Sequence, residues 1–168
     1  MRILGIDPGT RLCGYGVIEV EPAGQLRYVE CGVMQLGEGR PLPMRLRQLF
    51  ADLGEVVGDL QPNEVALEAI FHGKHTQAAL RLGHARGVVM LLCAQAELRL
   101  FEYTPATVKR AVVGHGRASK AQVQQMVRWQ CGLRSPPAPD AADALALALC
   151  HAYHRGASAW TTRNRRHT

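Results

Sequence analysis

The spacing of apolar residues changes sharply near residue 40, and this change constrains the fold more than any other feature. Before it lie three short strand-like runs, residues 2–7, 14–20 and 25–36, joined by brief connections. After it, residues 41–62 place Leu, Val and Phe at steps of three and four, as an amphipathic helix does. Strands with such short connections predict an antiparallel meander that leads into a helix.

Strand-like and helix-like segments alternate over the rest of the chain. Residues 64–70 and 98–105 predict short strands on either side of a long helix. The later predicted helices cover 76–97, 106–114, a segment capped by Ser119 within 115–132, and 139–154. This order predicts an α/β fold with a mixed five-stranded sheet flanked by helices.

Small residues recur every four positions in the helix predicted over 76–97. They are Ala79, Gly83 and Gly87. Such a row lets another helix approach closely, and that helix would belong either to the same chain or to a second copy of it.

Charge is distributed unevenly along the 168 residues, whose formal net charge is +6. Residues 1–70 carry six Lys or Arg and ten Asp or Glu, whereas residues 71–130 carry nine and two, and residues 131–168 carry five and two. An electropositive second half favours a polyanionic partner, most commonly nucleic acid. A basic face that is merely solvated would have the same composition.

Two further features narrow the class of protein. The five cysteines are scattered without a CxxC pair, so we expect reduced thiols rather than a disulfide framework or zinc site. The longest apolar run, residues 87–94, is far below the roughly 20 residues that cross a bilayer, and we expect no signal peptide before the first strand. We therefore expect a cytoplasmic protein with no membrane partner, consisting of one domain over residues 1–155 and a basic, disordered tail over 156–168.

Four carboxylates stand out because of the segments that carry them. Asp7 ends the first predicted strand, and Glu68 lies near the end of the fourth. Asp140 and Asp143 begin the last helix. If the first and fourth strands are neighbours, Asp7 and Glu68 lie near one end of the sheet, and a helix that starts nearby could add Asp140 and Asp143. Such a cluster needs a positive partner, and its hard oxygen ligands suit Mg²⁺ or Mn²⁺.

The acids have both a catalytic and a structural interpretation. Two metal ions about 4 Å apart can bind one phosphate, activate the attacking water and stabilise the leaving oxygen. Alternatively, Asp140 suits an N-cap, Asp143 the third helical position, and Asp7 a turn. Glu68 is harder to explain structurally, because a carboxylate within a short apolar strand costs stability unless it has a partner.

Five sequence blocks, in their order and spacing, resemble the RuvC family of crossover junction endodeoxyribonucleases. They are ILGIDPGT at the amino terminus, ALEAIF at 66–71, KHTQAALRLGHARGVV at 74–89, VKRAVVGHGRASKAQV at 108–123 and PDAADALALAL at 139–149. The first block alone also resembles actin-like ATPases, whereas the five together are specific. The resemblance covers residues 2 to about 152.

The resemblance implies a ribonuclease H-like fold, a homodimer, and two Mg²⁺ ions per active site, for which Mn²⁺ would substitute. It implies resolution of Holliday junctions in recombination and repair, by paired symmetric nicks on opposed strands of four-way junction DNA that leave 5′-phosphate and 3′-hydroxyl ends. It also implies work beside the RuvA–RuvB branch-migration complex.

Residue by residue, the resemblance assigns roles to the acids and to several basic side chains. The predicted catalytic residues are Asp7, Glu68, Asp140, Asp143 and Lys120, of which the four acids would bind metal. The predicted DNA-binding residues are Phe71, Lys74, Arg81, Arg86, Lys109, Arg117 and Lys120. Phe71 would stack on bases unless it is a core residue. One of Arg81 and Arg86 would touch DNA, or it would form an interface salt bridge instead.

Three other functions compete with this one. They are an actin-like ATP-dependent phosphotransferase, a noncatalytic DNA-binding module, and a related nuclease that acts on ribosomal RNA precursors. The chain is short for the first, and in the second a cluster of carboxylates would repel DNA phosphates unless a metal intervened.

Overall fold

The computed structural model describes residues 1–69 and 76–164, with side chains described as far as residue 156 except at 76–78. In this part of the chain the strands are β1 (Arg2–Asp7), β2 (Leu12–Val20), β3 (Leu26–Gln35), β4 (Glu64–Glu68) and β5 (Arg99–Tyr103). The helices are α1 (Leu42–Leu60), α2 (Thr76–Gln95), α3 (Pro105–Val113), α4 (Lys120–Gln130) and α5 (Pro139–Asn164). Every helix and strand predicted from the sequence is present in the structure, and most of their ends differ only slightly from the prediction.

The strands form one mixed sheet in the order β3-β2-β1-β4-β5. β1, β2 and β3 pair antiparallel, which confirms the predicted meander. β1 pairs in parallel with β4, and β4 pairs in parallel with β5. The predicted α/β class is confirmed, and the first and fourth strands are neighbours, which is the condition under which Asp7 and Glu68 meet.

Side chains of the sheet alternate between two hydrophobic cores, as successive residues of a strand must. On β1, Ile3 packs with α3, α4 and α5, whereas Leu4 and Ile6 pack with α1 and α2. Each such side chain contributes about 1.5–3 kcal/mol when fully buried. Because successive side chains of a strand point to opposite faces of the sheet, the side chains of Asp7 and Glu68 both lie on the face that α5 covers.

α5 lies against the backbone of β1 and β2, where three glycines leave room for it. We call Gly5, Gly14 and Gly16 the glycine floor. A Cβ on Gly5 would lie 2.8 Å from the backbone nitrogen of Ala148, and one on Gly16 would lie 2.6 Å from Cγ of Leu145. Real Cβ atoms essentially never come within 3.0 Å of such neighbours. A side chain at any glycine of the floor would therefore push the adjacent turn of the helix away from the sheet.

A buried ion cluster fixes the middle of α5 to the start of β4. The Glu64 side chain is 1% exposed, with His151 Nε2 2.8 Å from its Oε2 and Arg99 Nη2 2.5 Å from its Oε1. Arg155 pairs with the same carboxylate. Burial pushes the pKa of Glu64 up, but the hydrogen bonds from His151 and Arg155 hold it below its ordinary value.

α5 is longer than the sequence predicts. Its backbone continues to Asn164, beyond the predicted end at residue 154. The apolar period that marks the helix weakens after Tyr153, so the pattern underestimated its length. The division into a domain over 1–155 and a tail over 156–168 stays a prediction. No helix in the described residues is long and apolar enough to cross a membrane.

The outer face of α2 is apolar and open. Leu80, Met90 and Leu91 are 63%, 44% and 53% exposed. A Cβ on Gly83 or Gly87 would meet no atom within 4 Å. Within the described residues, the row of small side chains therefore does not serve an internal helix contact.

We predict that Gly54→Ala together with Gly58→Ala stabilises the protein. Both glycines lie on α1, and a Cβ at either meets nothing within 4 Å. Replacing Gly by Ala inside a helix removes a cost of about 0.5–1 kcal/mol per site. The double variant should melt about 2–8 °C higher than the wild type in thermal denaturation. An unchanged or lower Tm would contradict this expectation.

Candidate active site

Strand pairing brings Asp7 and Glu68 together. Ile6 and Leu67 are partners in the parallel β1–β4 register, so the next residues, Asp7 and Glu68, stand side by side where the two strands end. Both side chains face α5 because of the alternation along each strand. The predicted meeting of these two acids at one end of the sheet is confirmed.

The other two acids enter from the first turns of α5. Ala142 donates a backbone hydrogen bond to the carbonyl of Ala138, and Pro139 is the first helical residue. Asp140 is therefore the second residue of the helix rather than its N-cap, and Asp143 is the fifth rather than the third. The predicted capping roles are wrong, because Pro139 occupies the first helical position, which it favours. Asp140 keeps a favourable position near the positive end of the helix dipole.

A cleft of about 280 Å³ opens between these elements. Its polar lining consists of Asp7, Glu68, Asp143, Lys109 and Lys120, and its apolar lining comes from α3, α4 and α5. Lys120 Nζ lies 3.3 Å from Oδ2 of Asp143, and the lysine side chain is 85% exposed. Three acids and two lysines thus share one cavity that is open to solvent.

Burial and neighbouring carboxylates raise the proton affinity of Asp7 and Glu68. Burial first, and then repulsion from Asp143, Glu68 and Asp140, together raise the pKa of Asp7 from 3.8 to about 7. Lys120 opposes this rise. Burial also raises the pKa of Glu68, with a contribution from Asp143. The other three acids therefore act electrostatically on Asp7, and Lys120 does not neutralise it.

A divalent cation fits the chemistry of this donor set. The acidic donors at the cleft are carboxylates, and no His or Cys among the described residues lines it, which suits Mg²⁺ or Mn²⁺ better than zinc. In the described residues, no three His, Cys, Asp or Glu side chains are already drawn together around one ion position.

Arg86 supports the site from inside the protein. It is 5% exposed on α2, its Nη1 donates to the backbone carbonyl of Glu68, and its Nη2 pairs with Glu102 on β5. This burial argues against the predicted DNA contact, and the salt bridge it forms lies within the chain. The arginine fixes the peptide of Glu68 and also opposes the rise in the pKa of that acid.

The remaining predicted DNA-binding residues differ in their placement. Lys109 lines the cleft and is half-buried, whereas Arg81 on α2 and Arg117 before α4 are exposed. Phe71 and Lys74 lie outside the described residues. The DNA-binding roles of all five stay predictions.

Sequence reasoning missed two features that position the acids. Arg86 was assigned to DNA because its block is basic, and only the fold shows its contact with Glu68. The glycines of β2 were treated as ordinary strand residues. Their signal was present, since Gly14-Tyr15-Gly16 interrupts an apolar strand, and glycine in a strand often marks close approach of another backbone.

The sequence model of one protein family, described as crossover junction endodeoxyribonuclease RuvC, matches residues 3–151. The chain belongs to the RuvC family. The RuvC crossover junction endodeoxyribonuclease of Chloroflexus aggregans is 50% identical over 154 residues, which are 91% of this chain and 93% of that protein. That of Halorhodospira halophila is 49% identical over 167 residues, which are 98% and 99% of the two chains.

Solved RuvC structures share the fold. The structure of Thermus thermophilus RuvC has a TM-score of 0.84 at 35% identity, covering 94% of this chain and 97% of that one. The T. thermophilus RuvC complex with a Holliday junction substrate has a TM-score of 0.85 at 36% identity, covering 92% and 94%. The predicted ribonuclease H-like fold and enzyme class are confirmed, which argues against the phosphotransferase and the noncatalytic module.

We predict that Asp7→Asn stabilises the metal-free protein at neutral pH. The folded protein holds the Asp7 proton up to a pH of about 7, whereas the unfolded chain loses it near 3.8. The stability that comes with the protonated form is therefore present at low pH and is lost as the pH rises toward 7. The amide cannot ionise, so it avoids that loss.

Thermal melts in the presence of EDTA test this expectation. The Tm of the variant minus that of the wild type should be near zero at about pH 4 and should grow by several degrees toward neutral pH. The measurement at low pH is the control for any packing effect of the amide. A difference that stays constant with pH would contradict the ionisation argument.

Proposed function

We propose that this protein is a metal-dependent endonuclease that resolves Holliday junctions in recombination and repair. It cuts opposed strands symmetrically and leaves 5′-phosphate and 3′-hydroxyl ends. The observation that carries the proposal is the convergence of three carboxylates at one cleft that two lysines border, with Asp140 close enough to act on the pKa of Asp7. Family membership and the junction-bound T. thermophilus relative support the same substrate class.

Two Mg²⁺ ions per active site, or Mn²⁺ in their place, would be held by Asp7, Glu68, Asp140 and Asp143. When bound, such ions supply an activated water at neutral pH and stabilise charge on the leaving oxygen. Asp7 is the best candidate for a shared ligand, because the other three acids all act on its pKa. The cations would relieve the repulsion that holds that pKa high.

The chain's own cations would position the scissile phosphate. Lys120 contacts Asp143 at 3.3 Å yet is largely exposed, so its ammonium group can turn toward a phosphate at the mouth of the cleft. Lys109 lies on the cleft wall contributed by α3. Arg81 and Arg117 are exposed and would hold flanking phosphates, and Phe71 and Lys74 keep their predicted DNA-binding roles.

A homodimer would place two such clefts on opposed strands. Leu80, Met90 and Leu91 on α2 form an exposed apolar face, which is typical of protein interfaces. Gly83 and Gly87 beside them would let the partner's backbone approach closely. Work beside RuvA–RuvB and a cytoplasmic location also stay predictions.

We predict that Asp7→Asn separates binding from cleavage. The amide removes a charge that repels DNA phosphates and a ligand that the metals need. The variant should bind synthetic four-way junctions at least as tightly as the wild type in metal-free buffer. Its cleavage rate in Mg²⁺ should fall roughly 10³-fold, since several kcal/mol of charge stabilisation depend on the metals.

The control is Asp59→Asn, which removes an exposed acid on α1 that does not line the cleft. It should cleave as the wild type does. Three-way junctions, linear duplex and structured RNA, with and without metal, test the substrate class. Normal cleavage by Asp7→Asn, or equal cleavage of RNA and junction DNA by the wild type, would overturn the proposal.

We predict that Leu91→Glu produces a monomer. A carboxylate on the exposed apolar face of α2 would be desolvated without a partner if two copies packed there. Met44→Glu on α1, a residue 42% exposed, is the matched control. Sedimentation should show a dimer for the wild type and control and a monomer for Leu91→Glu. If both variants stay dimeric, the interface lies elsewhere.

A further inference from the structure

We propose that Gly14 is a positioning residue for the metal centre, because it sets the distance between the backbone of Asp140 and the sheet. This inference rests on the proposed function, since it concerns the same four acids. It assigns a role to a residue that has no side chain and touches neither metal nor DNA.

Gly14 lies between two of the acids. It is the antiparallel partner of Asp7 in the β1–β2 register. On the side that faces α5, a Cβ built on Gly14 would overlap the carbonyl oxygen of Asp140 and would lie 3.0 Å from the backbone nitrogen of Ala141. The first turn of α5 therefore rests on a glycine directly beside Asp7.

The rest of α5 cannot simply rise to make room for a methyl group. Gly5 and Gly16 hold the next turns against the sheet, and the His151–Glu64 contact fixes the helix farther along. A side chain at position 14 would consequently push on the first turn alone. That turn carries Asp140, so the displacement would change the spacing between Asp140 and Asp7.

The position matters because metal ligands tolerate little displacement. A shift of about 1 Å in the position of a catalytic group can lower the reaction rate about 10²-fold. The neighbouring Gly16 offers a comparison within the same interface. A Cβ there would press on the side chain of Leu145 and would lie 3.0 Å from its backbone nitrogen, and Leu145 is a buried core residue that is not a proposed ligand.

The experiment compares Gly14→Ala with Gly16→Ala. Both variants add one methyl group beneath α5, but only the first presses on the backbone of a proposed ligand. They are made in the Gly54→Ala/Gly58→Ala background, so that added helix stability offsets the strain. Mn²⁺ affinity is measured by calorimetry on the folded full-length chain without DNA, and junction cleavage is measured in parallel.

Gly14→Ala should weaken Mn²⁺ binding at least about 10-fold relative to Gly16→Ala and lower cleavage about 10²-fold. Combined with Asp140→Ala, it should weaken Mn²⁺ binding no further, because the ligand it displaces is already gone. Junction affinity in metal-free buffer should not change.

Equal loss of Mn²⁺ affinity in the two glycine variants would overturn the inference and leave the nuclease assignment intact. An additive loss in the Asp140→Ala background would overturn it as well. If the wild type bound no Mn²⁺, both the metal centre and this inference would fall. If Gly14→Ala does not fold even in the stabilised background, the inference is overturned as well, since the glycine would then serve the fold in general.

Discussion

The contact between the backbone of α5 and the backbones of β1 and β2 decides how the rest of the structure is arranged. The glycine floor leaves room for this contact on the sheet. On the helix, the small residues Ala144 and Ala148 pack against it and are fully buried. Small residues on both sides let the elements approach more closely than ordinary packing allows. The depth of that approach fixes the core on this side of the sheet and sets how far two carboxylates of α5 stand from two carboxylates of the strands.

The acids at the two ends of β4 lie in opposite electrostatic environments. Glu64 at its start is surrounded by Arg99, His151 and Arg155, and its pKa is held below the ordinary value. Glu68 at its end lies among other acids, and burial raises its pKa. A carboxylate satisfied within the fold stabilises it, whereas a carboxylate left among like charges weakens it until a cation arrives. The contrast within five residues of one strand separates a structural end of the sheet from the end that carries the proposed metal ligands.

The sequence predicted the parts of this arrangement that depend on local pattern. Residue patterns and turn signals identified the ten elements, and the connections allowed the first and fourth strands to be neighbours, so the meeting of Asp7 and Glu68 could be stated as a condition on that pairing. The start of α5 at residue 139 was predicted correctly, but the capping roles of Asp140 and Asp143 were wrong, because the preference of Pro139 for the first helical position was not weighed. The burial of Arg86 and the role of Gly14 depend on contacts with residues far away in the chain. The spacing of residue types along the sequence carries no information on such contacts. Only the folded structure shows that Arg86, within a basic block, points into the protein.

Because α5 follows every other described element in the chain, the site is assembled from segments that are far apart in the sequence. Asp7 and Glu68 are made early, but a nascent chain lacks the full set of four acids until residue 143 has been added. Residues are added at about 5–20 per second, and a domain generally folds as a unit. A chain that lacks α5 therefore lacks two of the proposed metal ligands and the helix that covers one face of the sheet. The order of elements therefore delays any capacity to cut DNA until the helix that completes the core is also present.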